Sequence, residues 1–264
     1  MKQLNAVVVS NEQVWLGAYL LRAEAIDMDI ARPGQYVMIH CGEGHDLMLR
    51  RPLSFHKVSE AGNVYFLFTV IGRGTEWLAR CGPGDNLDII GPLGNGFKVY
   101  PSSRNLLLVA GGIGVAPLVA LAEYASVIGC SVTLLIGSRT AAQIYPVRLL
   151  PPGIITIVIT EDGSEGLKGM ATDFLPKYVS GADQIFACGP LPMYQSMANM
   201  IGKLGGKPVQ VLLEVVLGCG VGACLSCTIE TRRGQRQVCK DGPVFELSEI
   251  LWDKIVAPRR GVSC

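Results

Sequence analysis

The pattern of apolar and polar positions changes near residue 104. Before it, short stretches rich in Val, Ile, Leu and aromatic residues alternate with turn-forming pairs such as Pro33-Gly34 and Pro83-Gly84. This pattern predicts strands at residues 6–9, 14–22, 36–40, 64–70 and 87–91, and one short helix at 75–81. Short strands without a long helix indicate a small antiparallel β-barrel over residues 1–102.

After residue 104 the apolar stretches are continuous and alternate with helical patterns. Residues 106–110 read Leu-Leu-Leu-Val-Ala, which is typical of a strand buried on both faces. Further strands are predicted at 131–136, 154–159, 184–187 and 209–216, with helices at 115–128, 141–149, 171–178 and 192–204. Alternating strands and helices predict a doubly wound α/β domain with a parallel sheet over residues 103–215. Residues 216–264 form a third segment.

Composition narrows the class of protein. The 264 residues carry a formal net charge of +1 and 17% charged residues, so no strong overall field attracts nucleic acid or an anionic membrane. We find neither an apolar run of membrane-spanning length nor a signal-peptide pattern. Nine cysteines in such a chain favour a reducing compartment, and we expect a cytoplasmic protein.

Four of those cysteines have a diagnostic spacing. Cys219, Cys224, Cys227 and Cys239 follow the pattern C-x4-C-x2-C-x11-C, and the 4-then-2 spacing is that of plant-type [2Fe–2S] sites. A structural zinc site usually has two C-x2-C pairs, whereas this stretch has one. The spacing therefore favours an iron–sulfur centre, with zinc and disulfide pairing as alternatives.

A glycine turn follows the strand at 106–110. Gly111, Gly112 and Gly114 lie at a strand-to-helix junction, where the backbone can approach a diphosphate and the helix start supplies N–H groups. The turn differs from the G-x-G-x-x-G fingerprint, so a merely tight turn is the alternative to a nucleotide site.

Two stretches of the first domain can also bind phosphate. Residues 50–54, Arg-Arg-Pro-Leu-Ser, lie between predicted strands; an arginine there can neutralise a phosphate, although a solvated basic turn is the simpler interpretation. Residues 72–75, Gly-Arg-Gly-Thr, are either a phosphate seat or an ordinary helix entry.

The order of these motifs is more specific than any one of them. Arg-Pro-Leu-Ser, then Gly-x-Gly-Thr, then Gly-Gly-x-Gly-x-x-Pro, then Cys188-Gly189-Pro190 resembles the ferredoxin–NADP reductase superfamily over residues 4–215. With the four-cysteine segment and residues 238–245 after it, the whole chain is similar to the iron–sulfur electron-transfer subunits of class 1B dihydroorotate dehydrogenases.

The resemblance implies three cofactors and assigns residues to each. FAD would be held by Arg51, Pro52, Leu53, Ser54, Phe68, Thr69, Val70, Gly74 and Thr75. NAD would be held by Gly111, Gly112, Gly114, Cys188, Gly189 and Pro190. A [2Fe–2S] cluster would be ligated by Cys219, Cys224, Cys227 and Cys239.

The same resemblance implies a relay in pyrimidine biosynthesis. Electrons from the FMN of a separate dihydroorotate dehydrogenase catalytic subunit would pass through the cluster and FAD to NAD+, in a heterotetramer with two copies of each subunit. The chain would be an oxidoreductase subunit that needs no general base of its own, and His40, His45 and His56 are interpreted as non-catalytic. A related NAD(P)H–ferredoxin reductase subunit and a zinc-stabilised nucleotide-binding module are the alternatives. Arg139 leaves NADP open as well, because it follows the second strand of the α/β domain.

Overall fold

A computed structural model describes residues 1–25, 28, 31–42, 47–59 and 62–255. His45 and the last nine residues of the predicted third segment, 256–264, lie outside these residues. The first sheet is antiparallel, in the order β4-β3-β7-β1-β2-β6-β5. Its strands are β1 (Lys2–Trp15), β2 (Ala18–Glu24), β3 (Tyr36–Ile39), β4 (Arg51–Ser54), β5 (Lys57–Val58), β6 (Asn63–Thr69) and β7 (Asn86–Leu93).

Alternating burial explains why these residues form strands. In β7, Leu87 and Ile89 point into a buried core while their neighbours are partly or fully exposed. The core is completed by side chains of β2 and β6 and by Leu78 of helix α1 (Arg73–Arg80). Strands β4 and β6, far apart in the sheet order, lie side by side, so the sheet curls into a barrel.

The second sheet is parallel over six strands. These are β8 (Asn105–Gly111), β9 (Ser131–Ser138), β10 (Ile155–Thr160), β11 (Leu167–Lys168), β12 (Gln184–Cys188) and β13 (Val209–Leu212). Their order β11-β10-β9-β8-β12-β13 reverses direction beside β8, as in doubly wound sheets. Helices α2 (Val115–Val127), α3 (Ala171–Val179) and α4 (Leu191–Asn199) accompany them. Strand β8 is buried almost throughout, which accounts for its continuous apolar sequence.

The last segment is not a separate layer. It contains the hairpin β14 (Thr228–Thr231) and β15 (Gly234–Gln237), the short helix α5 (Val238–Asp241) and strand β16 (Val244–Glu246). Strand β16 pairs antiparallel with β13 and extends the second sheet. The limits 1–102, 103–215 and 216–264 remain predictions, and the passage between the sheets lies between Leu93 and Asn105. Among the described residues, no helix is both long and apolar enough to cross a membrane.

Three predicted elements are wrong. The strand at 14–22 is divided by a turn at Gly17, whose positive φ of 78° reverses the chain between β1 and β2. The helix at 141–149 is two short 3-10 turns, because Pro146 lacks an N–H and restricts the residue before it. Residues 51–54 are not a turn between strands but the edge strand β4, the position in a sheet where a proline is tolerated.

Two further boundaries differ. The helix predicted at 192–204 ends at Asn199 and is followed by a 3-10 turn at 201–204. The strand predicted at 209–216 ends at Leu212, because its ladders with β12 and β16 both end there.

A buried histidine connects the barrel with the α/β domain. His56 follows β4, and its Nδ1 lies 3.1 Å from the carbonyl oxygen of Ala116 in the first turn of α2. Its Nε2 lies 3.1 Å from the Tyr145 hydroxyl. The Ala116 carbonyl can only accept, so Nδ1 carries the proton and Nε2 accepts from the tyrosine. Burial lowers the pKa of His56 from 6.5 to about 4, outweighing the hydrogen bond to Ala116, so the ring is neutral.

A matched pair of leucines tests the barrel core. Leu21 in β2 is fully buried, whereas Leu16 in the adjoining turn is 84% exposed. We expect Leu21→Ala to lower the free energy of unfolding by about 2–5 kcal/mol, since a cavity is left behind. Leu16→Ala should change it by less than about 0.5 kcal/mol. Urea denaturation measures both, and equal effects would contradict the assigned burial.

His56 should also make stability depend on pH. Its pKa is lower in the folded chain, so protonation favours unfolding. The stabilisation is complete above pH 6.5 and is lost as the pH falls toward 4. Relative to His56→Gln, wild type should lose about 3 kcal/mol of unfolding free energy between pH 7 and pH 4. Parallel stability profiles for the two proteins in denaturant titrations would contradict a buried neutral ring.

Candidate functional site

The four cysteines predicted as cluster ligands lie together. Cys219, Cys224 and Cys227 belong to the cysteine loop, residues 218–227, and Cys239 lies in α5. Cys227 and Cys239 are buried, Cys219 is half-buried and Cys224 is exposed. The side chains of Cys219 and Cys224 interact, as do those of Cys227 and Cys239, and Cys219 also acts on Cys239. The site therefore has an inner pair and an outer pair of thiols.

Backbone N–H groups converge on these sulfurs. The N–H groups of Val221, Ala223 and Cys224 lie 3.4, 3.3 and 3.4 Å from the Cys219 Sγ. Gly222 donates to the Cys239 Sγ at 3.1 Å, and Cys239 donates to the Cys227 Sγ at 3.5 Å. Positive φ angles at Gly220, Gly222 and Leu225 turn the loop so that these donors face inward. Such donors stabilise negative charge on sulfur, so the loop fits an anionic iron–sulfur centre.

The thiols differ in their electrostatics. Hydrogen bonds from Ser226, foremost from its hydroxyl, lower the pKa of Cys224 to about 6. Burial is the main reason why the pKa of Cys239 is raised to about 12. Within the described part of the chain, no three His, Cys, Asp or Glu side chains surround a position for a single metal ion.

Six of the nine residues predicted to hold FAD lie on the two sides of one seam of the barrel, which we define as the gap between β4 and residues 66–69 of β6. Strand β5 pairs with β6 at Val64 and Tyr65, leaving this part of β6 beside β4. Arg51, Pro52, Leu53 and Ser54 form the β4 side, and Phe68 and Thr69 the β6 side. The Val70 N–H is already bonded to the Gly17 carbonyl, so Val70 would contact a ligand in another way.

Arg51 crosses from this seam to the start of α1. A Cβ atom at Gly74 would lie 2.5 Å from the Arg51 Nε, so the absence of a side chain at Gly74 leaves room for the arginine. The Thr75 hydroxyl accepts from the N–H groups of Ile71 and Gly72 and caps the helix. The Arg51 guanidinium thus lies beside the first turn of α1. The first N–H groups of a helix have no acceptors within the helix, so the guanidinium and the start of α1 can both attract an anion at the same place. This arrangement fits a diphosphate.

The predicted nucleotide residues meet at the carboxyl ends of β8 and β12. A Cβ atom at Gly114 would lie 2.1 Å from the Cys188 carbonyl oxygen, and one at Gly111 would lie 2.7 Å from the Pro190 Cδ. A Cβ atom at Gly189 would lie 2.6 Å from the Met193 Cε, whereas nothing lies within 4 Å of a Cβ atom at Gly112. The turn at 112–114 also lies beside β6, so this edge adjoins the barrel seam. Ligands of open α/β sheets bind at such carboxyl ends.

Two polar residues at this edge were missed by the sequence analysis. The Tyr194 hydroxyl accepts from the Gly189 N–H at 2.8 Å and donates to the Leu212 carbonyl, so it fixes the turn at 188–190. Glu214 follows β13, and its Oε1 lies 4.0 Å from the Cys188 Sγ. Glu214 is solvent-exposed at this edge. Neither lies in a motif; the apolar run around Glu214 was the signal available in the sequence.

The fold and the three sites define a class, that of ferredoxin reductase-like flavin-dependent electron-transfer proteins. The structure superimposes on an NADH-dependent reduced ferredoxin-NADP oxidoreductase with a TM-score of 0.85 and 28% identity, covering 94% of this chain and 90% of that one. A ferredoxin NADP+ reductase from Neisseria gonorrhoeae with bound FAD and NADP shares the fold, with a TM-score of 0.66 and 15% identity over 78% of this chain and 92% of that one.

Sequence comparison identifies the family. Residues 214–251 match the family model of the iron-sulfur cluster binding domain of dihydroorotate dehydrogenase B. The electron transfer subunit of dihydroorotate dehydrogenase B (NAD(+)) from Desulforamulus reducens is 36% identical over 96% of this chain and 99% of its own length. The subunit from Bacillus caldolyticus is 37% identical over 84% of this chain and 88% of its own.

The chain belongs to the family of dihydroorotate dehydrogenase B electron transfer subunits. The predicted family, reductase-like fold and oxidoreductase role are therefore confirmed. The iron–sulfur interpretation of the four cysteines is supported over the zinc alternative, since the matched family model describes an iron–sulfur domain.

Gly114 offers a test of the nucleotide edge. Gly114→Ala would force a methyl group onto the Cys188 carbonyl and separate the turn from β12. We expect a stability loss of about 1–3 kcal/mol and at least about tenfold weaker binding of a nicotinamide dinucleotide, measured by thermal unfolding and titration. Gly202→Ala is the control, because nothing lies within 4 Å of a Cβ at Gly202. Unchanged affinity in Gly114→Ala would exclude this turn from the site.

Proposed function

We propose that this chain receives electrons from a dihydroorotate-oxidising partner subunit and delivers them to NAD+ in pyrimidine biosynthesis. One observation carries the proposal: the four-cysteine site and the nucleotide edge both adjoin the barrel that contains the predicted FAD seam. When bound, a [2Fe–2S] cluster would supply one-electron transfer and FAD would exchange electron pairs with the nicotinamide.

The cysteine site would hold the cluster through two unequal thiol pairs. The buried pair, Cys227 and Cys239, would anchor it in the apolar core. The outer pair, Cys219 and Cys224, would face solvent and therefore a partner. Leu225 beside them is 61% exposed and Val221 is 42% exposed, so the outer side of the loop also offers apolar surface.

The barrel seam would bind FAD between its two walls. Arg51 would neutralise the diphosphate, helped by the N–H groups of Gly74 and Thr75 at the start of α1. Pro52, Leu53 and Ser54 would lie along one side of the flavin, with Phe68, Thr69 and Val70 on the other. These residues bind and orient, so the chemistry needs no acid or base from β4 or β6.

The nucleotide edge would place the nicotinamide next to the flavin. Gly111, Gly112 and Gly114 would admit the dinucleotide at the start of α2. Cys188, Gly189 and Pro190 would border its reactive end, with Tyr194 keeping the Gly189 N–H in place. The family name supports NAD+ over NADP.

The partner would be an FMN-containing catalytic subunit, and the complex would hold two copies of each chain. The relatives are named as electron transfer subunits, which implies a catalytic partner. FMN, the 2:2 stoichiometry and a cytoplasmic location are part of this proposal.

A second candidate is a reductase subunit that serves a ferredoxin. The similarity to the NADH-dependent reduced ferredoxin-NADP oxidoreductase favours it, since that structure matches 94% of this chain. The two candidates differ in the redox partner and share the cofactor sites.

The decisive experiment co-purifies the complex and measures NAD+ reduction with dihydroorotate as the only donor. We expect activity in wild type and loss of activity, iron and acid-labile sulfide in Cys227→Ser, because a buried ligand is removed. Cys130→Ser is the matched control: Cys130 is also buried, but its thiol donates to the Ser103 carbonyl. A complex that reduces NAD+ with reduced ferredoxin but not with dihydroorotate would establish the second candidate. Cys227→Ser with full activity would exclude the cysteine site from the route.

A further inference from the structure

One buried tyrosine connects the barrel with the cysteine site. Tyr36 in β3 is 3% exposed and lies opposite Ser54 of β4 in the strand register. Its hydroxyl oxygen lies 3.0 Å from the Gly220 carbonyl oxygen and 3.3 Å from the Cys239 carbonyl oxygen. Tyr36 therefore borders the predicted FAD strand through its backbone and the cysteine site through its hydroxyl.

The two acceptors belong to separate parts of the cysteine site. Gly220 lies in the cysteine loop, and Cys239 lies in α5 beyond the β14–β15 hairpin. A phenol has one hydrogen to donate, so the shorter contact to Gly220 is the principal bond, with the Cys239 carbonyl sharing it. A single side chain thus ties both parts to β3.

Packing on the same strand supports this connection. Gly220 has a φ of 72°, and a Cβ atom there would lie 2.6 Å from the Met38 Cγ. Met38 is two residues from Tyr36, so both side chains are on one face of β3. Both also belong to the buried apolar group that contains Cys227 and Cys239. The loop backbone rests directly on this face.

We propose that Tyr36 is a positioning residue that holds the cysteine loop against β3 and so sets the separation between the cysteine site and the FAD strand β4. The inference rests on the proposed function, because this separation matters only when both sites hold their redox groups. Tyr36 takes no part in bond making or proton transfer.

Tyr36→Phe tests the inference in the co-purified complex. The ring stays, so the barrel core is retained, and only the hydroxyl is lost. We expect amide hydrogen exchange at residues 219–224 and at Cys239 to accelerate about 2- to 10-fold, the factor expected when one hydrogen bond is removed. After mixing with NADH, reduction of FAD should keep its rate while reduction of the cluster, followed by rapid-freeze spectroscopy, becomes slower.

Tyr65→Phe is the matched control. Tyr65 lies in β6 of the same barrel, where Arg22 stands over its ring. Exchange in the cysteine loop should be unchanged in this variant.

Wild-type exchange and wild-type cluster reduction in Tyr36→Phe, with full FAD and iron content, would overturn the inference and leave the proposed function intact. An equal acceleration in Tyr65→Phe would also overturn it. A wild-type protein that binds neither FAD nor iron would refute the proposed function instead, and exchange in that protein would still show whether the hydroxyl holds the loop.

Discussion

The packing of the cysteine loop on β3 is the contact on which the arrangement of sites depends. Strand β3 pairs with β4, which forms one side of the predicted FAD seam. The side chains of Tyr36 and Met38 on β3 contact the cysteine loop at Gly220. Gly220 allows contact at backbone distance, because any side chain there would collide with Met38. Strand β16 then returns the chain to the second sheet, beside β13. Strand β3 therefore connects the cysteine site with the FAD seam, and the second sheet connects the cysteine site with the nucleotide edge.

Periodicity predicted most of the fold because most elements obey it. The run at 106–110 and the alternation in β7 each reflect one pattern of burial, and both are found as strands. The exceptions have local causes. Gly17 reverses the chain within an apolar stretch, and Pro146 interrupts the stretch that was predicted as a helix. Residues 51–54 were interpreted as a turn because they contain Arg51 and Pro52. They form a strand because β4 lies at the edge of the sheet, where a proline is tolerated.

The candidate site was predictable where its residues are contiguous in sequence. The cysteine spacing and the glycine turn are short motifs, and their members are brought together in the structure. Tyr36, Tyr194 and Glu214 could not be predicted in this way, since each acts on residues that only the tertiary fold brings near. Tyr36, for example, contacts Gly220 across 184 positions of sequence, and no local pattern marks such a pair. Motifs thus supplied the candidate ligand-binding groups, and folding supplied the residues that contact them.

The uneven burial of the four thiols has a consequence for the lifetime of the protein in air. Cys224 is exposed and Cys219 half-exposed, whereas Cys227 and Cys239 are enclosed. With the proposed cluster bound, oxygen and iron chelators would approach from the side of Cys219 and Cys224. The exposed apolar side chain of Leu225 lies in the loop on that face. A partner subunit docked there would exclude the same reagents, so that assembly would also protect the proposed cluster from oxidative damage.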